Sequence, residues 1–177
     1  MSMAALPLSS RGFFKGACVV MGVASCGKTS VGEALALQLG IDFIEGDRLH
    51  PPENVAKMSS GKPLNDEDRW PWLAAIGSAL SGEGGKVASC SALKRSYRET
   101  IARAAGRPVA FVFLHGSKEL LRERINSRKG HFMPASLLES QLNTLEPPAP
   151  DEWAIKLNVA SPVDELVAQA LEWLTKT

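Results

Sequence analysis

The chain has 177 residues, 45% of them hydrophobic, with 20 Lys or Arg against 19 Asp or Glu and a net charge of +1. That length fits one domain with an ordinary core, and so even a charge balance gives no electrostatic case for nucleic acid or an acidic membrane as the main partner. Three widely spaced cysteines make no disulfide framework and suit a reducing compartment, read here as the cytoplasm, and no apolar run approaches the roughly 20 residues that span a bilayer.

Residues 1–16 carry Arg11 and Lys15 but no apolar signal core. They read as a short mobile leader, with organellar targeting as the alternative, before a single domain over residues 17–177. Beyond the leader, apolar runs alternate with helical patterns, which predicts an α/β fold around a parallel sheet. A strand is expected at Ala17–Met21 and a helix at Lys28–Leu39. Between them stands Gly22-Val23-Ala24-Ser25-Cys26-Gly27-Lys28-Thr29, which reads G-x-x-x-x-G-K-[ST], the phosphate-binding P-loop. The strand–loop–helix setting separates it from a chance glycine turn. Its N–H groups form an anion nest, and the helix N-terminus adds its positive end. These eight residues, with Ser30, are the expected ATP contacts. Lys28 reaches the β- and γ-phosphates, and the Thr29 hydroxyl is the expected Mg²⁺ ligand. Cys26, in the nest beside a helix N-terminus, is a candidate reactive thiol. Cys18 and Cys90 read as small core residues.

A second strand is expected at Ile41–Glu45, ending at Gly46-Asp47. A carboxylate at that place would hold an acceptor hydroxyl and orient or deprotonate it for in-line attack, so Asp47 is a catalytic candidate. His50 follows as a substrate-binding candidate. Pro51 and Pro52 stop the strand, and Pro52 opens a helix to about Ser59. Asp66 is expected to cap a helix over Glu67–Leu80. Val87–Ser91 reads as the third strand and Leu93–Ala105 as a helix. Lys94, Arg95 and Arg98 at this strand end are candidates for binding an anionic acceptor.

Val109–Leu114 is the most strand-like run. Ser117 is expected to cap a helix through about Arg128. Arg124 and Arg128 lie four apart, which puts them on one helix face. With Gly130 as a hinge they predict a lid, about residues 122–145, that brings cations to the transferring phosphoryl group. A helix over Ala135–Leu145, a proline linker, a last strand at Trp153–Val159 and a final helix capped by Ser161-Pro162 complete the chain. In open parallel sheets the ligand sits beyond the C-terminal strand ends. The P-loop, Asp47 and Cys90-Ser91 all fall there, so separate stretches converge on one crevice.

The whole constellation resembles gluconokinase. The residues that carry the resemblance are the P-loop, Gly46-Asp47-x-x-His50-Pro51, Lys57-Met58-x-x-Gly61-x-Pro63-Leu64-Asn65-Asp66-x-Asp68-Arg69-x-Pro71-Trp72-Leu73, Cys90-Ser91-Ala92-Leu93-Lys94-x-x-Tyr97-Arg98 and Arg128-Lys129-Gly130-His131-Phe132. Together they span about residues 18–150. The resemblance implies a shikimate-kinase-like P-loop fold: three α/β/α layers, a central parallel five-stranded sheet and a small helical lid. It implies ATP- and Mg²⁺-dependent phosphorylation of D-gluconate at its 6-hydroxyl to 6-phospho-D-gluconate, feeding the pentose phosphate pathway, commonly by a homodimer. Through it, Arg69 and Arg98 become the favoured substrate anchors and His131 a further contact. Fold analogy alone places the adenine pocket between the lid helix and the loop near Asn158–Pro162.

Two departures stand out. Ser25 and Cys26 replace the family's usual Gly and Ser, so Ser25 must take a backbone geometry easier for Gly. No Asp ends the third strand, where a Walker-B carboxylate would sit. The competing readings are another small-metabolite kinase of this fold, such as a shikimate kinase, and a nucleotide switch. The chain lacks the Asn-Lys-x-Asp string that reads guanine.

Overall fold

A computed structural model describes residues 14–128 and 135–177. The strands are β1 (Ala17–Met21), β2 (Asp42–Glu45), β3 (Lys86–Ser89), β4 (Val109–His115) and β5 (Ala154–Asn158). The helices are α1 (Lys28–Leu39), α2 (Pro52–Ser59), α3 (Asp66–Leu80), α4 (Arg95–Ala105), α5 (Lys118–Ser127), α6 (Ala135–Thr144) and α7 (Val163–Lys176). A 3-10 turn, Gly46–Leu49, follows β2.

All five strands run parallel, in the order β2-β3-β1-β4-β5. β1 is central, and its residues Ala-Cys-Val-Val-Met are buried throughout, as a strand covered on both faces requires. Helices α1 and α7 pack together, as do α3 and α4, which completes the expected three layers. The free thiols of Cys18 and Cys90 lie in this core, and burial pushes both up to about 12.

Local chemistry sets the element ends. Asn65, not Asp66, caps α3. Its Oδ1 accepts from the Asp68 amide at 2.8 Å, and Asp68 Oδ2 accepts from the Asn65 amide at 2.9 Å. This reciprocal pair satisfies two amides at once. Ser117 caps α5 as expected, accepting from the Leu120 amide. The cap of α7 is Pro162, without a side-chain bond from Ser161. The core also reaches back into the segment read as a leader. Phe14 is buried against it, and the Gly16 carbonyl accepts from the Lys86 amide.

Candidate active site

The P-loop begins where β1 ends. Gly22 has φ of 146°, and a Cβ there would lie 2.6 Å from the Leu114 carbonyl oxygen and 2.7 Å from Cys26 Sγ. Ser25 takes φ of 64°, the left-handed geometry expected of it. That conformation costs a non-glycine residue about 1 kcal/mol or more. Its hydroxyl is buried without a hydrogen-bond partner among the described residues. Lys28 Nζ folds back across the loop to the Val23 carbonyl at 3.0 Å. Cys26 is 1% exposed. Burial there shields it from solvent oxidants, against the reactive-thiol expectation. Ser30 is exposed in the first turn of α1.

Beside Thr29 the structure places a carboxylate that sequence reasoning missed. Thr29 Oγ1 donates to Glu45 Oε2 at 2.7 Å. Glu45 Oε1 accepts from Ser89 Oγ at 2.6 Å, and that hydroxyl accepts from the Gly46 amide at 3.1 Å. β2 lies next to β3 in the sheet, so its last residue reaches the place where an Asp ending β3 was sought. Only glycine fits at position 46, because a Cβ would stand 1.8 Å from the Ser89 carbonyl oxygen. This close approach holds the turn bearing Asp47 against the strand ends.

Ahead of the loop lies a cleft of about 920 Å³, open to solvent. Ala24, Ser25, Gly27, Lys28 and Thr29 form its nucleotide side. Asp47, His50 and Arg69 line the same cleft, and Arg128 borders it from the end of α5. The buried Arg69 donates from Nη1 to the Tyr97 hydroxyl at 2.8 Å. Tyr97 in turn donates to Asp66. The Tyr97 hydrogen bond, followed by Lys94, holds the Asp66 carboxyl below the usual carboxylate range.

The other expected anchors lie elsewhere. Arg98 is 2% exposed and outside the cleft lining. It donates from Nε and Nη2 to Glu152 at 2.7 and 3.1 Å and from Nη1 to the Ala92 carbonyl at 2.8 Å. These bonds clamp the loop after β3, where Ala92 has φ of 45°. Arg95 forms a bidentate pair with Asp151 at 3.0 and 2.7 Å, and Lys94 is drawn to Asp66 at 3.3 Å. Acidic neighbours far along the chain have taken these cations, which a strand-end rule does not foresee.

The two lid arginines also separate. α5 stops at Ser127, and Arg128 is its extended cap, so the pair does not share a helix face. Arg128 faces the cleft, whereas Arg124 donates to the Val159 carbonyl at 2.8 Å, at the loop expected beside adenine. His131 lies outside the described residues. Arg122 pairs with Glu139 and so ties α5 to α6. From α6, Gln141 enters the cleft unforeseen. Its Oε1 accepts from the Ala24 amide of the P-loop at 2.7 Å.

Comparison with known proteins agrees with this geometry. A family model described as an AAA domain matches residues 18–148. The chain is 52% identical to a gluconokinase of Gluconobacter oxydans over 144 residues, covering 79% of this chain and 80% of that one. It is 39% identical to the thermoresistant gluconokinase of Escherichia coli, covering 89% and 93%. A gluconokinase crystal structure from Sinorhizobium meliloti superposes with a TM-score of 0.85 at 56% identity, covering 92% of this chain and 93% of that one. A shikimate kinase from Bacteroides thetaiotaomicron, at 17% identity and a TM-score of 0.65, shares the fold alone. A P-loop that shares its cleft with a carboxylate and a buried arginine, on a chain this similar to its relatives, places the protein in the gluconokinase family.

Proposed function

We propose that this protein transfers the γ-phosphoryl group of ATP to the 6-hydroxyl of D-gluconate, giving 6-phospho-D-gluconate and ADP. The observation that carries the reading is one cleft lined both by the P-loop and by Asp47, His50 and Arg69. A sugar acid needs a cation for its carboxylate and a carboxylate for its reacting hydroxyl, and this cleft supplies both.

The loop amides and Lys28 hold the triphosphate. Asp47 orients the acceptor hydroxyl and takes its proton as the new bond forms. Arg69, already buried and held by Tyr97, binds the substrate carboxylate with little desolvation left to pay. Arg128 brings positive charge to the transferring group. Arg124 acts nearer the base, and α5 with α6 forms the lid of a single domain. The paired oxygens of Thr29 and Glu45 suit a hard divalent cation, so these two residues would hold Mg²⁺. That ion would offset charge on the β- and γ-phosphates.

From the resemblance we also infer a homodimer working in the cytoplasm. Among the described residues no helix is long and apolar enough to cross a membrane. Sedimentation of the purified chain reads the assembly state. A coupled ADP-release assay with D-gluconate, shikimate or no acceptor tests the reaction. Turnover with gluconate alone supports the proposal. Turnover with shikimate alone, or silence with every acceptor, overturns it.

A further inference from the structure

The cleft is lined by a histidine, His50, whose protonation state is dictated from behind. Asn54 is 4% exposed, on α2. Its Nδ2 lies 2.8 Å from the Asp68 carbonyl oxygen and 3.2 Å from His50 Nδ1. A main-chain carbonyl only accepts, so the Asn54 atom facing it is the amide nitrogen and not the oxygen. That nitrogen carries two hydrogens and no lone pair to offer. Its second hydrogen therefore meets His50 Nδ1, which must present a lone pair. The ring proton then resides on Nε2.

Neighbouring groups hold this arrangement. The His50 ring stacks on Trp72 with centroids 3.9 Å apart and planes 18° apart. Trp72 is itself fixed by donating from Nε1 to the Gly46 carbonyl at 2.9 Å. Asp68 is anchored by Lys57 at 2.6 Å and by the Asn65 cap. The charged neighbours oppose each other: Asp47 on the 3-10 turn favours a proton on the ring, and Arg69 on α3 disfavours it. Burial is the larger effect and pushes the ring down to about 4.

We propose that Asn54 is a positioning residue that fixes His50 as the neutral Nε2–H tautomer, so that the ring serves the polyhydroxy carboxylate as a hydrogen-bond donor and not as a base. The role assigned to the substrate rests on the proposed function; the tautomer does not. Proton removal is thereby left to Asp47. A donor at this place also favours acceptors that present an oxygen lone pair there, a hydroxyl or a carboxylate.

Long-range ¹H–¹⁵N spectra of the full chain test the tautomer directly, with the His50 signals identified by their loss in His50→Gln. The expected result is a neutral Nε2–H pattern that does not titrate between about pH 5.5 and 8, the span in which an ordinary histidine does. An Nδ1–H pattern, or titration within that span, overturns the proposal whether or not gluconate is turned over. Asn54→Asp turns the partner from donor to acceptor. In that variant the ring should titrate within the span, kcat/KM for gluconate should gain a matching pH dependence, and KM for ATP should stay within about twofold. Asn54→Ala should raise KM for gluconate by about tenfold, the order expected for losing one positioned hydrogen bond. Unchanged gluconate kinetics in both variants would refute the positioning role.

Discussion

Replacing Arg98 by Met decides whether this residue anchors substrate or holds the fold. In the structure its guanidinium is spent on Glu152 and the Ala92 carbonyl. The Glu152 side chain is only 12% exposed. Removing one partner of a buried pair strands the other charge and costs about 3–5 kcal/mol. For a chain of this size that lowers the melting temperature by about 10 °C. The pH dependence gives a sharper signature. Burial by itself would push the Glu152 carboxyl up, but the Arg98 hydrogen bond, the Ala149 amide and the neighbouring charges outweigh it and hold the group below its usual range. In the wild type this contributes stability that is present above the ordinary carboxylate pKa and lost as pH falls. Without Arg98, burial prevails and the sign reverses. The gap in stability between wild type and Arg98→Met should therefore narrow as pH drops from about 7 to about 4. Urea unfolding at three pH values reads this, and Arg98→Met with Glu152→Gln should recover much of the loss. A variant that melts like the wild type but binds gluconate tenfold more weakly would refute the structural assignment.

Asp47→Asn should lower kcat by about 10² or more while ATP still binds, by analogy with the loss of one transition-state group; near-normal turnover would remove Asp47 from the reaction. Ser25→Gly relieves the left-handed strain and deletes the buried hydroxyl, at the cost of a floppier unfolded chain. We expect a net gain of about 1 kcal/mol, read as a melting shift of about 3 °C without nucleotide, and a lower melting temperature would contradict it. Gln141→Ala frees the Ala24 amide and should change ATP affinity, measured by titration calorimetry, whereas a variant identical to the wild type would make the contact incidental. His50 stays neutral in the fold down to about 4. Its contribution, about 2 kcal/mol after allowing for solvent at the half-buried ring, is complete above pH ~6.5 and lost as pH falls towards ~4. In His50→Gln that part of the acid destabilisation should vanish from urea titrations.

Local chemistry made much of this protein legible without coordinates. Two glycines and a lysine at fixed spacing, behind a buried run and before a helix, name a P-loop because that pattern folds amides inward around phosphate. Ala17–Met21, Lys28–Leu39 and Pro52–Ser59 were readable to the residue, since apolar runs, glycine ends and a proline start act within a few positions. Even the strain at Ser25 follows from its place in the loop. Arg98 was not legible, because its partner Glu152 stands more than fifty residues away, and Arg95 only in part, because Glu99 lies one helical turn on but the bidentate partner Asp151 lies more than fifty residues away. Glu45 reads as an ordinary strand-end residue until β2 is set beside β3 and its carboxylate meets Thr29. Nothing in the sequence marks Asn54, which gains its place only when α3 brings the Asp68 carbonyl to it. The sequence by itself determined the fold class and the phosphate loop, because those rest on short-range backbone geometry, and its longer motif strings carried the resemblance to the family. Only the tertiary structure decided which charges face the cleft, because a charge goes to whichever partner the folded chain brings within about 3 Å, and that proximity is a property of the packing.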